Sequence, residues 1–159
     1  MAEYRAFTLR SQGRINKLPT NALILSDVRD NSVPYTPKMW SAIWDTGATK
    51  SCITKRIADD LRLIPVGRTT IGTANGLTVA DTYFVNVGLP NGIVVPNVLA
   101  SCADLGKDID ILIGMDIITL GDFSLTNLNG KTVFSFRIPS VKEVDFIEEY
   151  NAEHGRSLT

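Results

Sequence analysis

Ser41-Ala42-Ile43-Trp44-Asp45-Thr46-Gly47-Ala48-Thr49 is the stretch on which the reading of this chain turns. A run of apolar residues delivers one carboxylate, and Thr-Gly-Ala then lets the backbone turn tightly behind it. Apolar neighbours make a carboxylate costly to ionise, which is how a buried acid acquires useful proton chemistry. Asp and Gly are also ordinary turn residues, so the tripeptide alone reads equally well as a plain turn. The turn reading loses ground to a second stretch much later in the chain, Asp110-Ile111-Leu112-Ile113-Gly114-Met115-Asp116, a short apolar strand that ends on a glycine.

An apolar strand leading into Asp-Thr-Gly-Ala, paired with a later apolar-apolar-Gly strand, resembles the retroviral-type aspartic proteases, the retropepsins. The resemblance spans Met39 to Ile118, about half of the chain. It implies an all-β, closed-barrel acid-protease fold with short helices as trim, and peptide-bond hydrolysis as the activity. Under it, Asp45 is the catalytic acid, Thr46 holds two active-site loops together across a dimer, and Gly47 lets their backbones approach. Ala48 keeps the base of the site apolar, and Gly114 packs beneath the loop.

The hairpin around Asn75-Gly76 falls where that family carries its flap. Thr73, Ala74, Asn75 and Gly76 would form the tip, closing over an extended peptide, with Ile71, Val79 and Ile113 shaping the pockets. The alternative is a simple surface turn. Two positions depart from the family pattern. Retropepsins commonly follow Asp-Thr-Gly-Ala with Asp and the later Gly with Arg, whereas Thr49 and Met115 stand there in this chain.

Peptide hydrolysis needs a nucleophilic water and a polarised carbonyl at once, and two carboxylates sharing one proton supply both. This chain has one Asp-Thr-Gly. Asp116 falls in the first turn of an expected helix, where a negative charge suits the helix dipole, and Asp110 reads as a strand-edge residue. The second carboxylate is therefore expected from Asp45 of another copy, in a two-fold homodimer. Phe7–Arg10 and Thr132–Arg137 are the candidate interface strands. A catalytically silent binding or dimerisation module on the same fold is the alternative, and an unrelated barrel with a fortuitous turn is a third.

Composition narrows the rest. With 159 residues, 44% of them hydrophobic, the chain can bury one real core. Its net charge of −1 gives no electrostatic reason to expect nucleic acid or anionic membrane as a partner. No apolar run reaches the ~20 residues of a membrane span, and the N-terminus lacks a signal-peptide layout, so the expected location is cytoplasmic. Two cysteines and one histidine offer no metal-ligand spacing and no Ser-His or Cys-His machinery, so no cofactor is expected. Cys52 is expected to be a buried free thiol.

Along the chain, Phe7–Arg10, Ala22–Leu25 and Met39–Trp44 read as strands, with a Pro-containing loop at 27–37 between the last two. Thr54 is positioned to cap a helix over Lys55–Leu63. Asn75-Gly76, Asn91-Gly92 and Asn129-Gly130 each mark a hairpin. A helix over Met115–Leu120 ends at Gly121, and Ser140-Val141-Lys142-Glu143 matches a capping box before a final helix ending near Gly155. The domain is expected to occupy 1–139, followed by a helical tail over 140–159.

Overall fold

The computed structural model describes residues 3–32, 34–73 and 76–155. In chain order the elements are β1 (Arg5–Arg10), β2 (Leu18–Leu25), β3 (Met39–Trp44), β4 (Cys52–Ile53), α1 (Lys55–Asp60), β5 (Gly67–Thr73), β6 (Gly76–Gly88) and β7 (Val94–Cys102). They continue with β8 (Ile111–Ile113), α2 (Met115–Ile118), β9 (Asp122–Thr126), β10 (Val133–Ile138) and α3 (Phe146–His154).

Strand β3 shows why the sequence folds this way. Trp40, Ala42 and Trp44 alternate with less buried neighbours, so one face of the strand enters the core. The larger sheet runs β2-β3-β8-β4-β7-β6-β5, and a further pairing of β2 with β6 bends six of these strands into a ring. Ile24, Ile53, Val85, Val87, Ile111 and Ile113 fill its interior. The all-β barrel expectation holds.

Strand β8 is threaded between the two strands that flank the Asp45 turn. It pairs parallel with β3, Trp44 opposite Ile113, and antiparallel with β4, Cys52 opposite Leu112. The turn therefore arches over the end of β8, where Gly114 lies.

A second sheet, β1-β10-β9, is antiparallel throughout. Phe134 and Phe136 of β10 are fully buried and pack with Phe7 of β1 against Trp44, whose ring centroid lies 4.7 Å from that of Phe136. This cluster fastens the strand carrying Asp45 to the second sheet. Because β10 is the central strand, both its edges are occupied, which removes Thr132–Arg137 as an interface edge and leaves β1 and β9.

Several local expectations are corrected. Helix α1 stops at Asp60 because Arg62 adopts a left-handed conformation (φ 49°) and Leu63 bridges to Arg29. Thr54 makes no side-chain cap; its hydroxyl is buried with no partner among the described residues. Helix α2 ends at Ile118, and Gly121 serves close packing: a Cβ there would meet the Arg137 carbonyl at 1.9 Å. Ser140 is not a cap, since its hydroxyl bonds Asp122; the cap of α3 is Asp145, which accepts from the Ile147 and Glu148 amides. Gly155 closes that helix in the left-handed region, as expected. Cys52 is a free thiol but only half-buried.

Candidate active site

Asp45 leaves the end of β3 with its amide donating to the Ile113 carbonyl at 2.9 Å. Its Oδ1 accepts from the Gly47 amide at 2.8 Å, while Oδ2 has no hydrogen bond among the described residues. The Ala48 amide donates back to the Asp45 carbonyl at 3.3 Å, closing the turn, and the Ala48 carbonyl accepts from the Met115 amide at 2.8 Å. Gly114 fits under this turn only because it has no side chain: a Cβ would lie 2.7 Å from the Lys50 carbonyl carbon and 2.9 Å from the Ala48 oxygen. Asp45 itself is half-buried, more open to solvent in the single chain than its apolar neighbours suggest.

Below the turn, Ser51 is 1% exposed. Its amide and hydroxyl both donate to the Asp116 carboxylate, at 3.0 and 2.7 Å, and its Oγ accepts from the Gly114 amide at 3.1 Å. Asp116 does sit in the first turn of α2, but both its oxygens are committed to Ser51. Asp110 immediately precedes β8, at the edge of the strand as expected. It is buried, with Arg56 and Ser41 bonded to its carboxylate. Burial pushes its carboxyl up, but the hydrogen bonds from Arg56 and Ser41 outweigh it and hold the group below the usual carboxylate range.

Asp45, Thr46, Ile71 and Val79 fall in two concave regions. A groove of about 410 Å³ contains Asp45 and Thr46 together with Ile15, Leu18, Trp44, Phe123 and Leu125. A larger cleft of about 740 Å³ lies between the β5–β6 hairpin, through Ile71, Thr78 and Val79, and the segment from Cys102 to Ile109, with Arg56 at its rim. Asp45 does not line this larger cleft. The structure thus places Ile71 and Val79 together in the larger cleft, and Asp45 with Thr46 in the separate groove. Ile113 is fully buried, which puts its side chain in the core and not on a surface a peptide can reach. Thr73 pairs with Gly76 at the end of the hairpin, where Gly76 has φ 110°; Ala74 and Asn75 lie outside the described residues.

Sequence reasoning missed Ser51, and it gave Asp110 and Asp116 only generic roles. Their partners come from segments more than fifty positions away, so no local spacing signals them. Among the described residues no group of three or more His, Cys, Asp or Glu is placed to hold a metal ion, and no helix is long and apolar enough to cross a membrane.

Comparison with solved structures finds the same fold. A retropepsin-like aspartic protease from Rickettsia conorii aligns with a TM-score of 0.52 at 19% identity, over 86% of this chain and 96% of that one. A simian foamy virus protease aligns at 26% identity with a TM-score of 0.39, over 62% and 89% of the two chains. The retroviral protease-like domain of Ddi1 from Leishmania major gives 20% identity and 0.43, over 84% and 100%. No curated protein sequence matches the chain. The aspartyl protease family model matches residues 31–117, which hold the Asp45 turn, the β5–β6 hairpin and the β8–Gly114 segment. With more than half its length matched and its fold shared, this chain belongs to the aspartyl protease family.

Proposed function

We propose that the chain is an aspartic endopeptidase that works as a homodimer, with one Asp45 from each copy. The observation that carries this is the Asp45 turn itself: a carboxylate with Oδ1 fixed by the Gly47 amide and Oδ2 without a hydrogen bond among the described residues, opening into a groove. Between two such groups one proton is shared, because two like charges at close range cannot both ionise comfortably. The ionised carboxylate takes a proton from water as the water oxygen bonds to the peptide carbonyl carbon. The protonated one donates to the carbonyl oxygen, and the tetrahedral intermediate collapses with a proton passing to the leaving amine. No cofactor is required.

The remaining residues take roles consistent with that chemistry. Thr46 meets its counterpart across the two-fold axis, Gly47 keeps the contact close, and Ala48 keeps the base apolar. The β5–β6 hairpin, with Ile71 inside and Thr73, Ala74, Asn75 and Gly76 at its tip, closes over an extended peptide through strand-like pairing. Ile113 acts from beneath, as a core support. The segment beyond Pro139 is an appended tail outside the 1–139 domain. The two free cysteines suit a reducing compartment such as the cytoplasm.

The second copy is proposed to pack along the outer edge of β9. Of the two free edges of the β1-β10-β9 sheet, only β9 contributes to the groove that holds Asp45, through Phe123 and the half-exposed Leu125.

The test is wild type beside Asp45→Asn on a complex peptide mixture, with sedimentation of both. Cleavage by wild type, its loss in the variant and an intact dimer in each are the expected results. An Asp45→Asn protein that cleaves at the wild-type rate refutes the reading, and a folded wild-type dimer that cleaves nothing favours a silent binding module.

A further inference from the structure

Ser51 and Asp116 form a clamp under the Asp45 turn that is complete within one chain. The Ser51 hydroxyl has one proton, and it goes to Asp116 Oδ1 at 2.7 Å while the Ser51 amide holds Oδ2 at 3.0 Å. With both carboxylate oxygens engaged, the hydroxyl cannot rotate freely, and its lone pairs face the Gly114 amide at 3.1 Å. Gly114 is the middle of a three-residue rail. On one side the Ile113 carbonyl takes the Asp45 amide, and on the other the Met115 amide holds the Ala48 carbonyl. The rail thus grips both ends of the turn, and Ser51 with Asp116 fixes the rail at its centre.

We propose that Ser51 and Asp116 are the positioning residues of the Asp45 carboxylate, setting where it stands before a second copy arrives. Thr49 and Met115, where retropepsins commonly carry an ion pair, hold no charge here, so this clamp is the side-chain tie between the turn segment and α2, beside the Met115–Ala48 backbone bond. No Cβ would fit between Gly114 and the Lys50 and Ala48 backbone, so the rail and the turn pack closely there, and a shifted Gly114 amide is expected to move the turn with it. Displacing a reacting group by ~1 Å costs about 10²-fold in rate.

The activity readout rests on the protease reading above; a second readout does not. In the full chain, Ser51→Ala leaves the buried Gly114 amide without its acceptor, Asp116→Asn replaces the charged acceptor, and Ser51→Thr keeps the hydroxyl. Expected for Ser51→Ala is a fall in kcat of about 10–100-fold with KM nearly unchanged and the dimer intact. Amide hydrogen exchange at Asp45 and Met115, followed by NMR, should quicken by about tenfold or more while β10 amides keep their protection. Ser51→Thr should retain most of the activity and the protection, and Asp116→Asn should fall between. If Ser51→Ala does not fold, Asp116→Asn carries the same test, because Asp116 is only partly buried and Asn preserves its volume. A folded variant with unchanged exchange at those amides overturns the proposal, as does loss of protection spread evenly over the chain. Should wild type cleave nothing, or Asp45→Asn cleave normally, the protease reading fails while the exchange result still judges the clamp.

Discussion

An alanine at position 114 would bring its Cβ to 2.7 Å from the Lys50 backbone, a contact neither side can relieve by rotating a side chain. Gly114→Ala is therefore expected to cost about 1–3 kcal/mol of stability, as overpacking does. Peptide turnover should fall further than that loss explains, because the strain enters at the Asp45 turn. Thermal unfolding and turnover measured on one preparation check both halves; a variant as stable and active as wild type would show that the turn yields easily. The importance of Gly114 was legible in the sequence because it closes the apolar run Ile111–Ile113. The partnership of Ser51 with Asp116 was not, since two polar residues that meet only in the folded chain leave no periodic trace. Ile113 illustrates the opposite error. An apolar residue beside a motif reads as a pocket wall, but register with Trp44 turns it into the core.

Among the elements, β9 gathers the C-terminal segment through one side chain. Asp122 is bonded by the Ser140 hydroxyl, by the Val141 and Lys142 amides at 3.1 and 3.2 Å, and by Arg137 at 2.6 Å. The Ser140 and Val141 hydrogen bonds, with Arg137 adding to them, hold its carboxyl well below the usual range. A depressed folded value means the stabilisation is complete above the ordinary carboxylate pKa and is lost as pH falls through the folded one. The tail attachment should thus persist through mildly acid pH and release only in strong acid, whereas Asp122→Asn should loosen 140–142 at neutral pH. Amide exchange at Val141 and Lys142 measures this, and equal protection in variant and wild type would refute it.

Phe134→Ala should cost about 3–5 kcal/mol, since that ring is fully buried among Phe7, Trp44 and Phe123. Denaturant unfolding gives the value. The strands themselves were legible from alternation and Asn-Gly turns. The N-cap of α3 was not, because Ser140 and Asp145 are both sound capping residues, and the pull of Asp122 decides between them.

For the molecule as a whole, the proposed dimer contact at the edge of β9 is tested at Leu125. Leu125→Lys places a charge on an exposed apolar side chain beside Asp45 and Thr46, and is expected to give a folded monomer with cleavage reduced at least about tenfold. Wild-type specific activity should likewise fall on dilution. Sedimentation beside turnover decides, and an active Leu125→Lys dimer would move the contact elsewhere. Hydroxyl-bearing mimics of the tetrahedral intermediate should inhibit, while chelators should not; recovery of chelator-inhibited activity with zinc would argue for a metal mechanism.

The single Asp45 turn per chain also has a consequence in the arithmetic of mixing. If wild-type and Asp45→Asn chains are made in equal amounts and pair at random, about a quarter of the dimers keep two carboxylates. In the proposed homodimer, a change that removes the carboxylate but leaves pairing intact would then also disable unaltered chains, so that a mixed population would lose most of the activity, not half.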